Sequence, residues 1–186
     1  MEKWKLLDKT LLIDTPMFDM YRYHLLHAEK QTEHNFFIIE TFDWVNIVPI
    51  TPECNIVLIR QYRAGSDSIS LEIPGGVMDH EKDPIEAAKR ELEEETGYVN
   101  GKYELLGHAF PNPAFLKNRI YFVLARDVLP QGQINFDPSE YIETEVVPLE
   151  DIPGLIASGK IRHALTITAF VYLAINGCCD FSLAGK

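Results

Sequence analysis

The chain has 186 residues, of which 46% are apolar and 24% charged, so it is large enough for one globular domain with a hydrophobic core. Its formal net charge of -11 argues against a nucleic-acid backbone as the main partner, because such a partner favours a basic surface. Three cysteines without framework spacing, no apolar signal core near the N-terminus and no apolar run long enough to span a bilayer together predict a cytoplasmic protein with reduced thiols and no membrane partner.

Aromatic and β-branched residues predict two antiparallel strands near the N-terminus, at residues 17–27 and 35–42. The preceding residues 4–14 are either loosely structured or a short strand. Two further strands are predicted at Trp44–Ile50 and at residues 55–62, and the second runs into the sequence RQYR. Its arginines, Arg60 and Arg63, can hold a phosphate through bidentate hydrogen bonds, or form surface ion pairs instead.

A small polar loop is predicted at residues 64–70, and the segment 75–98, GGVMDHEKDPIEAAKRELEEETGY, then contains one short helix. Asp83 fits the N-cap and Pro84 the first helical position, because that position needs no hydrogen-bond donor. Glu86 lies where a capping box places an acid, and Gly97 is a typical helix stop. Ile85, Ala88 and Leu92 form an apolar stripe at helical spacing.

The glutamates of this helix need an explanation. Glu91, Glu94 and Glu95 fall along one edge of the apolar stripe. Like charges at i and i+4, such as Glu91 and Glu95, cost about 0.2–0.5 kcal/mol per pair, and burial raises that cost. A bound Mg²⁺ or Mn²⁺ removes the repulsion, because these ions prefer carboxylate oxygens. The alternative is a solvated acidic face.

Beyond the helix, strands are predicted at residues 103–108 and at Ile120–Arg126, separated by a proline-containing loop. A loop at residues 131–138 precedes a last strand. Residues 149–152 open a helix, a break follows at residues 154–159, and residues 162–175 form the C-terminal helix.

The segment 75–98 resembles the Nudix box, whose pattern runs Gly, five residues, Glu, seven residues, then Arg-Glu-apolar-x-Glu-Glu-x-Gly-apolar. The residues that match in register are Gly76, Arg90, Glu91, Leu92, Glu94, Glu95, Gly97 and Tyr98. One position departs from the pattern: the first glutamate should fall at position 82, and this chain has Lys82. In the family that glutamate mainly supports the box arginine, so the resemblance implies a change of support for Arg90 and no loss of metal ligands.

The resemblance implies an α/β fold, the Nudix α/β/α sandwich with a mixed sheet, over residues 44–186. Residues 1–43 would form an N-terminal antiparallel strand extension, which in dimeric members of the family serves dimerisation, so a homodimer is expected. The resemblance also implies roles for individual residues. The expected metal ligands, for Mg²⁺ or possible Mn²⁺, are the Gly75 carbonyl, Glu91, Glu94 and Glu95. The expected catalytic residues are Glu94, Arg90 and Glu140, the last as general base with Glu143 as the alternative. The expected substrate-binding residues are Arg60, Arg63, Glu72, Pro113, Tyr21 and Arg22.

RQYR and the loop around Pro113 resemble the corresponding segments of ADP-ribose and GDP-mannose pyrophosphatases. The implied function is hydrolysis of the diphosphate bond of nucleoside diphosphate sugars to a nucleoside monophosphate and a sugar phosphate. A second hypothesis, motivated by Lys82, is a low-activity module that binds or senses nucleotide sugars through a degenerate box. A third is the cleavage of damaged nucleoside triphosphates or dinucleoside polyphosphates, which the N-terminal extension disfavours.

Overall fold

A computed structural model describes residues 2–78, 81–136 and 141–177 of the protein. The chain divides into two compact units. The first, here called the N-terminal unit, comprises Met1–Asp43 and Ala109–Ile120. The second, here called the core unit, comprises Trp44–His108 and Tyr121–Lys186.

The N-terminal unit is built on a three-stranded antiparallel sheet in the order β1-β2-β3. Its strands are β1 (Lys5–Asp14), β2 (Phe18–His27) and β3 (Thr32–Thr41). The strand alternative for residues 4–14 is therefore the correct one. The pairing of β1 with β2 is interrupted by two register shifts, whereas β2 and β3 pair without interruption.

The proline-containing loop 109–120 belongs to the N-terminal unit, although the sequence boundary at residue 43 had assigned it to the second domain. Backbone hydrogen bonds explain the difference. Ile39 donates to the Phe115 carbonyl at 2.7 Å and accepts from the Lys117 amide at 2.9 Å. The Arg119 amide also donates to Asp43 Oδ1 at 2.7 Å. The loop therefore extends the edge of β3.

The core unit contains a seven-stranded sheet in the order β10-β5-β4-β9-β8, with β6 paired to β5 and β7 paired to β4. The strands are β4 (Trp44–Ile50), β5 (Asn55–Arg63), β6 (Ser68–Glu72), β7 (Gly75–Val77), β8 (Lys102–Ala109), β9 (Ile120–Arg126) and β10 (Ile142–Pro148). The helices are α1 (Pro84–Thr96), a 3-10 turn (Leu149–Asp151), α2 (Ile152–Ala157) and α3 (Ala164–Ile175).

Helices α1 and α3 cover opposite faces of this sheet. Ala88 and Leu92 of α1 belong to one buried cluster with Val123 of β9. Phe122, the next residue along β9, stacks on Tyr172 of α3 with ring centroids 4.9 Å apart. Since successive side chains of a strand point to opposite faces, the sheet lies between the two helices. The predicted α/β/α sandwich with a mixed sheet is confirmed.

Two strands escaped the sequence analysis. Strand β6 begins at Ser68, inside the predicted polar loop, because Ser68 and Ser70 pair across the hairpin with β5. Strand β7 contains Gly75 and Gly76, which have low strand propensity but pair with β4. Tertiary pairing thus overrides local preference at both places. None of the helices in the described part of the chain is both long and apolar enough to cross a membrane.

Candidate active site

Helix α1 begins and ends where the sequence predicts. Asp83 Oδ1 accepts a hydrogen bond from the Ile85 amide at 2.9 Å, which satisfies one of the free amides at the helix start. Gly97 adopts a left-handed conformation with φ of 70° and donates its amide to the Glu93 carbonyl. Glu86 accepts from Lys89 Nζ at 2.7 Å. The side-chain cap at the start of α1 is therefore provided by Asp83, whereas Glu86 pairs with Lys89.

Two of the helix glutamates contact the backbone of Gly75 and Gly76 in strand β7. Glu95 is only 3% exposed, and its Oε2 accepts a hydrogen bond from the Gly75 amide at 2.9 Å. The carboxylate of Glu91 packs so closely on Gly76 that a Cβ at Gly76 would overlap it. Position 76 therefore requires a glycine if the Glu91 carboxylate is to stay against the β7 backbone.

Arg90 organises the carboxylates from the same helix. Its Nη1 donates to Glu91 Oε1 at 2.9 Å and to Glu94 Oε2 at 3.0 Å. Its Nη2 donates to the Val77 carbonyl of β7 at 3.1 Å. The hydrogen bond to Glu81, together with the charge of Glu91 and the hydrogen bonds to Glu94 and Glu91, outweighs the effect of burial and raises the pKa of Arg90 above its usual value. Arg90 is thus a fixed cation that sets the spacing of the acidic side chains.

Glu81 supports Arg90 where Lys82 leaves the box without its first acid. Arg90 Nε donates to Glu81 Oε1 at 2.6 Å, and Nη2 donates to Glu81 Oε2 at 3.3 Å. This is a bidentate pair, the strongest geometry for an arginine and a carboxylate. Glu81, one position before Lys82, therefore supports Arg90 in place of the missing box glutamate.

The donors present fit a hard divalent cation. Within the described ranges, no three acidic, histidine or cysteine side chains are placed to hold one ion together. Glu91, Glu95 and the backbone carbonyl of Gly75 nevertheless supply oxygen donors only. Mg²⁺ is commonly held by one or two carboxylates, with water and substrate phosphates completing its shell. Glu94, the fourth predicted ligand, is engaged by Arg90.

Glu72 and Arg63 form a second polar centre on the β5–β6 hairpin. Glu72 is 1% exposed and accepts two hydrogen bonds from Arg63, from Nη2 at 2.8 Å and from Nε at 3.1 Å. His163 Nδ1 lies 3.3 Å from Glu72 Oε2. Burial raises the pKa of Glu72, but the Arg63 hydrogen bond and charge outweigh it, so the pKa is lowered. Glu72 is a buried anion that holds Arg63 in place.

The two arginines of RQYR do not form one clamp. They are three residues apart in β5, so their side chains leave opposite faces of the strand. Arg60 Nε donates to Glu145 Oε2 of β10 at 2.5 Å, and both side chains are partly exposed. The surface ion pair considered for Arg60 is therefore present, with Glu145 as its partner.

The substrate-binding residues predicted in the N-terminal unit lie at three separate places. Tyr21 donates its hydroxyl to Asp19 at 3.0 Å and carries Lys9 Nζ over its ring at 3.7 Å. Arg22 is the next residue along β2, and its Nη2 donates to Thr10 at 3.0 Å. Side chains of neighbouring residues in a strand point to opposite faces of the sheet, so the side chains of Tyr21 and Arg22 do not form one binding surface. Pro113 lies in the loop between β8 and β9, which extends the edge of β3.

Of the two candidates for general base, only Glu143 is described. Glu140 lies outside the described residues. Glu143 is exposed in β10, directly across from Arg60 of β5. The assignment of the base to Glu140 remains a prediction.

Sequence reasoning missed the role of Glu81 and the neighbourhood of His163. Glu81 lies one position before the box residue that the family pattern requires, so the pattern does not predict its contact with Arg90. The contact of His163 with Glu72 joins residues far apart in sequence. No local pattern signals such a contact.

Comparison with known proteins places this site in a family. A family model described as NUDIX domain matches residues 42–170, more than half of the chain. The chain belongs to the Nudix family. The Nudix box on α1 and β7 is therefore the family's own motif, and Nudix members generally use divalent metal ions.

The relatives include named hydrolases. The chain is 30% identical over 133 residues to an ADP-ribose pyrophosphatase of Bacillus subtilis (strain 168), covering 71% of this chain and 72% of that protein. It is 29% identical over 125 residues to the ADP compounds hydrolase NudE of Escherichia coli (strain K12), covering 67% and 66%. It is also 30% identical over 133 residues, 71% and 72% of the two chains, to a protein named methanol dehydrogenase activator in Bacillus methanolicus.

A solved structure shares the fold. The crystal structure of an ADP compounds hydrolase matches 95% of this chain and 96% of its own, with a TM-score of 0.83 and 22% sequence identity. Family and relatives together identify this protein as a Nudix hydrolase of the pyrophosphatase type.

Proposed function

We propose that this Nudix enzyme hydrolyses the diphosphate bond of nucleoside diphosphate sugars of the ADP-ribose or GDP-mannose type, with Mg²⁺ as cofactor and Mn²⁺ as a substitute. The observation that carries the proposal is the placement of Glu91 and Glu95 against the Gly75–Gly76 backbone. Relatives named as ADP-ribose and GDP-mannose pyrophosphatases support the substrate class.

Glu91, Glu95 and the Gly75 carbonyl would hold the metal, and Glu94 lies beside them on the Arg90 guanidinium. When bound, the metal neutralises the diphosphate and polarises its P–O bonds. Arg90 keeps the carboxylates at fixed positions, so little reorganisation is needed when the substrate arrives.

The reaction is a substitution at phosphorus. Water gives a proton to a carboxylate, which we assign to Glu140 with Glu143 as the alternative, and its oxygen bonds to one phosphorus. The bond from that phosphorus to the bridging oxygen breaks, and the products are a nucleoside monophosphate and a sugar phosphate. Arg63, held by Glu72, is the cation of the core unit that we assign to the substrate phosphates.

The bidentate contact between Glu81 and Arg90 favours the enzyme over a sensing module. The sensing hypothesis rests on Lys82 having disabled the box. If the box were disabled, Lys82→Glu would raise turnover sharply. Because Glu81 already supports Arg90, we expect turnover of Lys82→Glu to stay within about threefold of wild type.

We also propose a cytoplasmic homodimer formed through the N-terminal unit, with no nucleic-acid partner. Strand β1 exposes Leu6, Leu7, Leu11, Leu12 and Ile13, each between 43% and 48%. Several are adjacent in sequence, so apolar side chains lie on both faces of the strand. A second copy of the chain would remove this surface from water. Light scattering coupled to size exclusion measures the mass, and a monomer at micromolar concentration contradicts this proposal.

The test of the proposed activity is a hydrolysis panel with Mg²⁺ and product identification by mass. The panel contains ADP-ribose, GDP-mannose, UDP-glucose, NADH, a nucleoside triphosphate and a dinucleoside polyphosphate. Turnover of the nucleotide sugars to monophosphate and sugar phosphate supports the proposal. Preferential turnover of the triphosphate or the dinucleoside polyphosphate would replace it by the third hypothesis.

Matched variants on α1 connect the activity to the site. Glu91→Gln and Glu95→Gln remove charge from the cluster, and each should reduce turnover by orders of magnitude while the fold is kept. Glu86→Gln makes the same change in the first turn of the helix, where Glu86 pairs with Lys89, and serves as the control. Near-normal metal-dependent turnover by both Glu91→Gln and Glu95→Gln would exclude this site.

A further inference from the structure

One face of the β5–β6 hairpin lines a cavity of about 670 Å³ in the core unit. Cross-strand partners share a face, and the register pairs Ser68 with Arg63 and Glu72 with Ile59. Arg63, Ser68, Ser70 and Glu72 therefore all border the cavity. Its volume lies in the range of about 300–1,000 Å³ that is typical of small-molecule sites.

The other wall is the segment that joins α2 to α3. Lys160, Arg162 and His163 border the cavity, and α3 begins at the next residue, Ala164. The side chain of His163, the N-cap residue, makes no capping hydrogen bond at this helix start, so the partial positive charge of the helix amides adds to that of the side chains. His163 Nδ1 contacts both Thr166 at 3.1 Å and Glu72 at 3.3 Å, which ties the segment to the hairpin.

The cavity is cationic in a strongly acidic protein. Among the described residues that border it, Arg63, Lys160 and Arg162 carry fixed positive charges and Glu72 is the single acid, so they have an excess of two positive charges in a chain whose net charge is -11. The charge of Glu72 is already engaged by Arg63 and His163. Among the described residues, no ion pair involves Lys160 or Arg162, which are both exposed. The described lining of the cavity thus has more cations than acids, and its one acid is already paired.

The cavity also adjoins the proposed metal site. Glu72 precedes Gly75 by three residues, so at most about 10 Å of extended chain separates the two. A ligand whose diphosphate lies at Gly75 can therefore place a neighbouring group in the cavity.

We propose that this cavity binds a phosphate or carboxylate group that the substrate carries in addition to its diphosphate. The inference rests on the proposed function and adds to it a preference for nucleoside diphosphate sugars with an anionic sugar. Arg162 and Lys160 are then the specificity-determining residues, because they supply charge that an uncharged sugar does not use. A free inorganic anion offers the same chemistry, and the experiment separates the two sources.

The test compares matched substrates that differ in one anionic group: UDP-glucuronate against UDP-glucose, and ADP-ribose carrying a phosphate on its terminal ribose against ADP-ribose. Wild type should prefer the charged member by about tenfold or more in kcat/KM, since a charge-assisted hydrogen bond is worth that much. Arg162→Gln should remove most of this preference through KM. Lys102→Gln, a lysine on β8 paired with Asp127, changes the same net charge and should retain the preference.

Inorganic phosphate binding, measured by calorimetry on wild type and Arg162→Gln, provides a readout that needs no turnover. If phosphate binds to wild type and not to the variant while the substrate pairs are equal, the cavity takes a free anion, and the assignment to substrate is wrong. If there is neither preference nor phosphate binding, the cavity is not an anion site. If no diphosphate is cleaved at all, the proposed function fails, and Arg162-dependent phosphate binding still supports the cavity as an anion site.

Discussion

Glu81 offers the sharpest test of how this Nudix box works without its usual glutamate. In Glu81→Gln the side chain keeps its length but loses its charge, and the amide can accept only one of the two hydrogen bonds from Arg90. A hydrogen bond to a charged group is worth about 1.5–3 kcal/mol. The side chains of Arg90 and Glu81 are 31% and 19% exposed, so solvent screening reduces the expected loss of unfolding free energy to about 1–2 kcal/mol.

For a chain of this size, that loss lowers the melting temperature by about 3–6 °C. The effect on activity should be larger. Arg90 also holds Glu91 and Glu94, so a loosened guanidinium displaces the carboxylates next to it. Residues that orient metal ligands typically contribute about 10–100-fold to metal affinity or activity. We therefore expect turnover of Glu81→Gln to fall by about 10–100-fold, with a higher Mg²⁺ concentration at half-maximal rate.

The assay is hydrolysis of the best substrate across a Mg²⁺ titration, together with thermal unfolding. Lys82→Gln is the matched control, because it changes the next residue, which is exposed and has no ion pair among the described residues. Glu81→Gln with wild-type turnover and melting temperature would refute the reasoning. Equal losses in Glu81→Gln and Lys82→Gln would also refute it.

Two other predictions follow from glycine packing and from a buried acid. Gly76→Ala should displace the Glu91 carboxylate and lower turnover by about 10–100-fold with little change in melting temperature. Gly75→Ala should lower the unfolding free energy by about 1–3 kcal/mol, because its Cβ overlaps the backbone of β4. Kinetics and thermal unfolding of both variants separate the two effects. Burial raises the pKa of Glu40, but hydrogen bonds from two lysines and a tyrosine outweigh it and lower the pKa to about 2 from 4.5. The stabilisation by Glu40 is thus complete above pH 4.5 and lost as the pH falls towards 2. Between pH 4.5 and 2, the unfolding free energy of Glu40→Gln should therefore fall by about 1–2 kcal/mol less than that of wild type, as measured by denaturant unfolding at each pH.

Local sequence patterns were sufficient for helix α1. Its N-cap and its glycine stop are determined by neighbours within one or two turns, and the structure reproduces both. Of the predicted apolar stripe, Ala88 and Leu92 are buried and Ile85 is half-buried. The same holds for Ile120–Arg126, whose bounds match the prediction, because a continuous run of apolar residues is required by burial on both faces.

The remaining features depend on partners far away in the sequence. Strand β6 begins with a serine that follows a polar loop and alternates serines with Ile69 and Leu71, and its pairing with β5 fixes where it starts. The separation of Arg60 from Arg63 follows from strand geometry once β5 extends to Arg63. The cationic cavity joins the hairpin to residues almost a hundred positions later, so no sequence window contains both walls.

The most direct test of the central claim is ADP-ribose hydrolysis by wild type, Glu95→Gln and Glu86→Gln after removal of divalent metal and stepwise return of Mg²⁺. Our account predicts metal-dependent release of AMP and ribose 5-phosphate by wild type and Glu86→Gln, and a loss of orders of magnitude in Glu95→Gln with an unchanged fold by circular dichroism. Turnover of Glu95→Gln equal to wild type at every Mg²⁺ concentration would contradict the assignment of the metal to the site formed by Glu91, Glu95 and the Gly75 carbonyl.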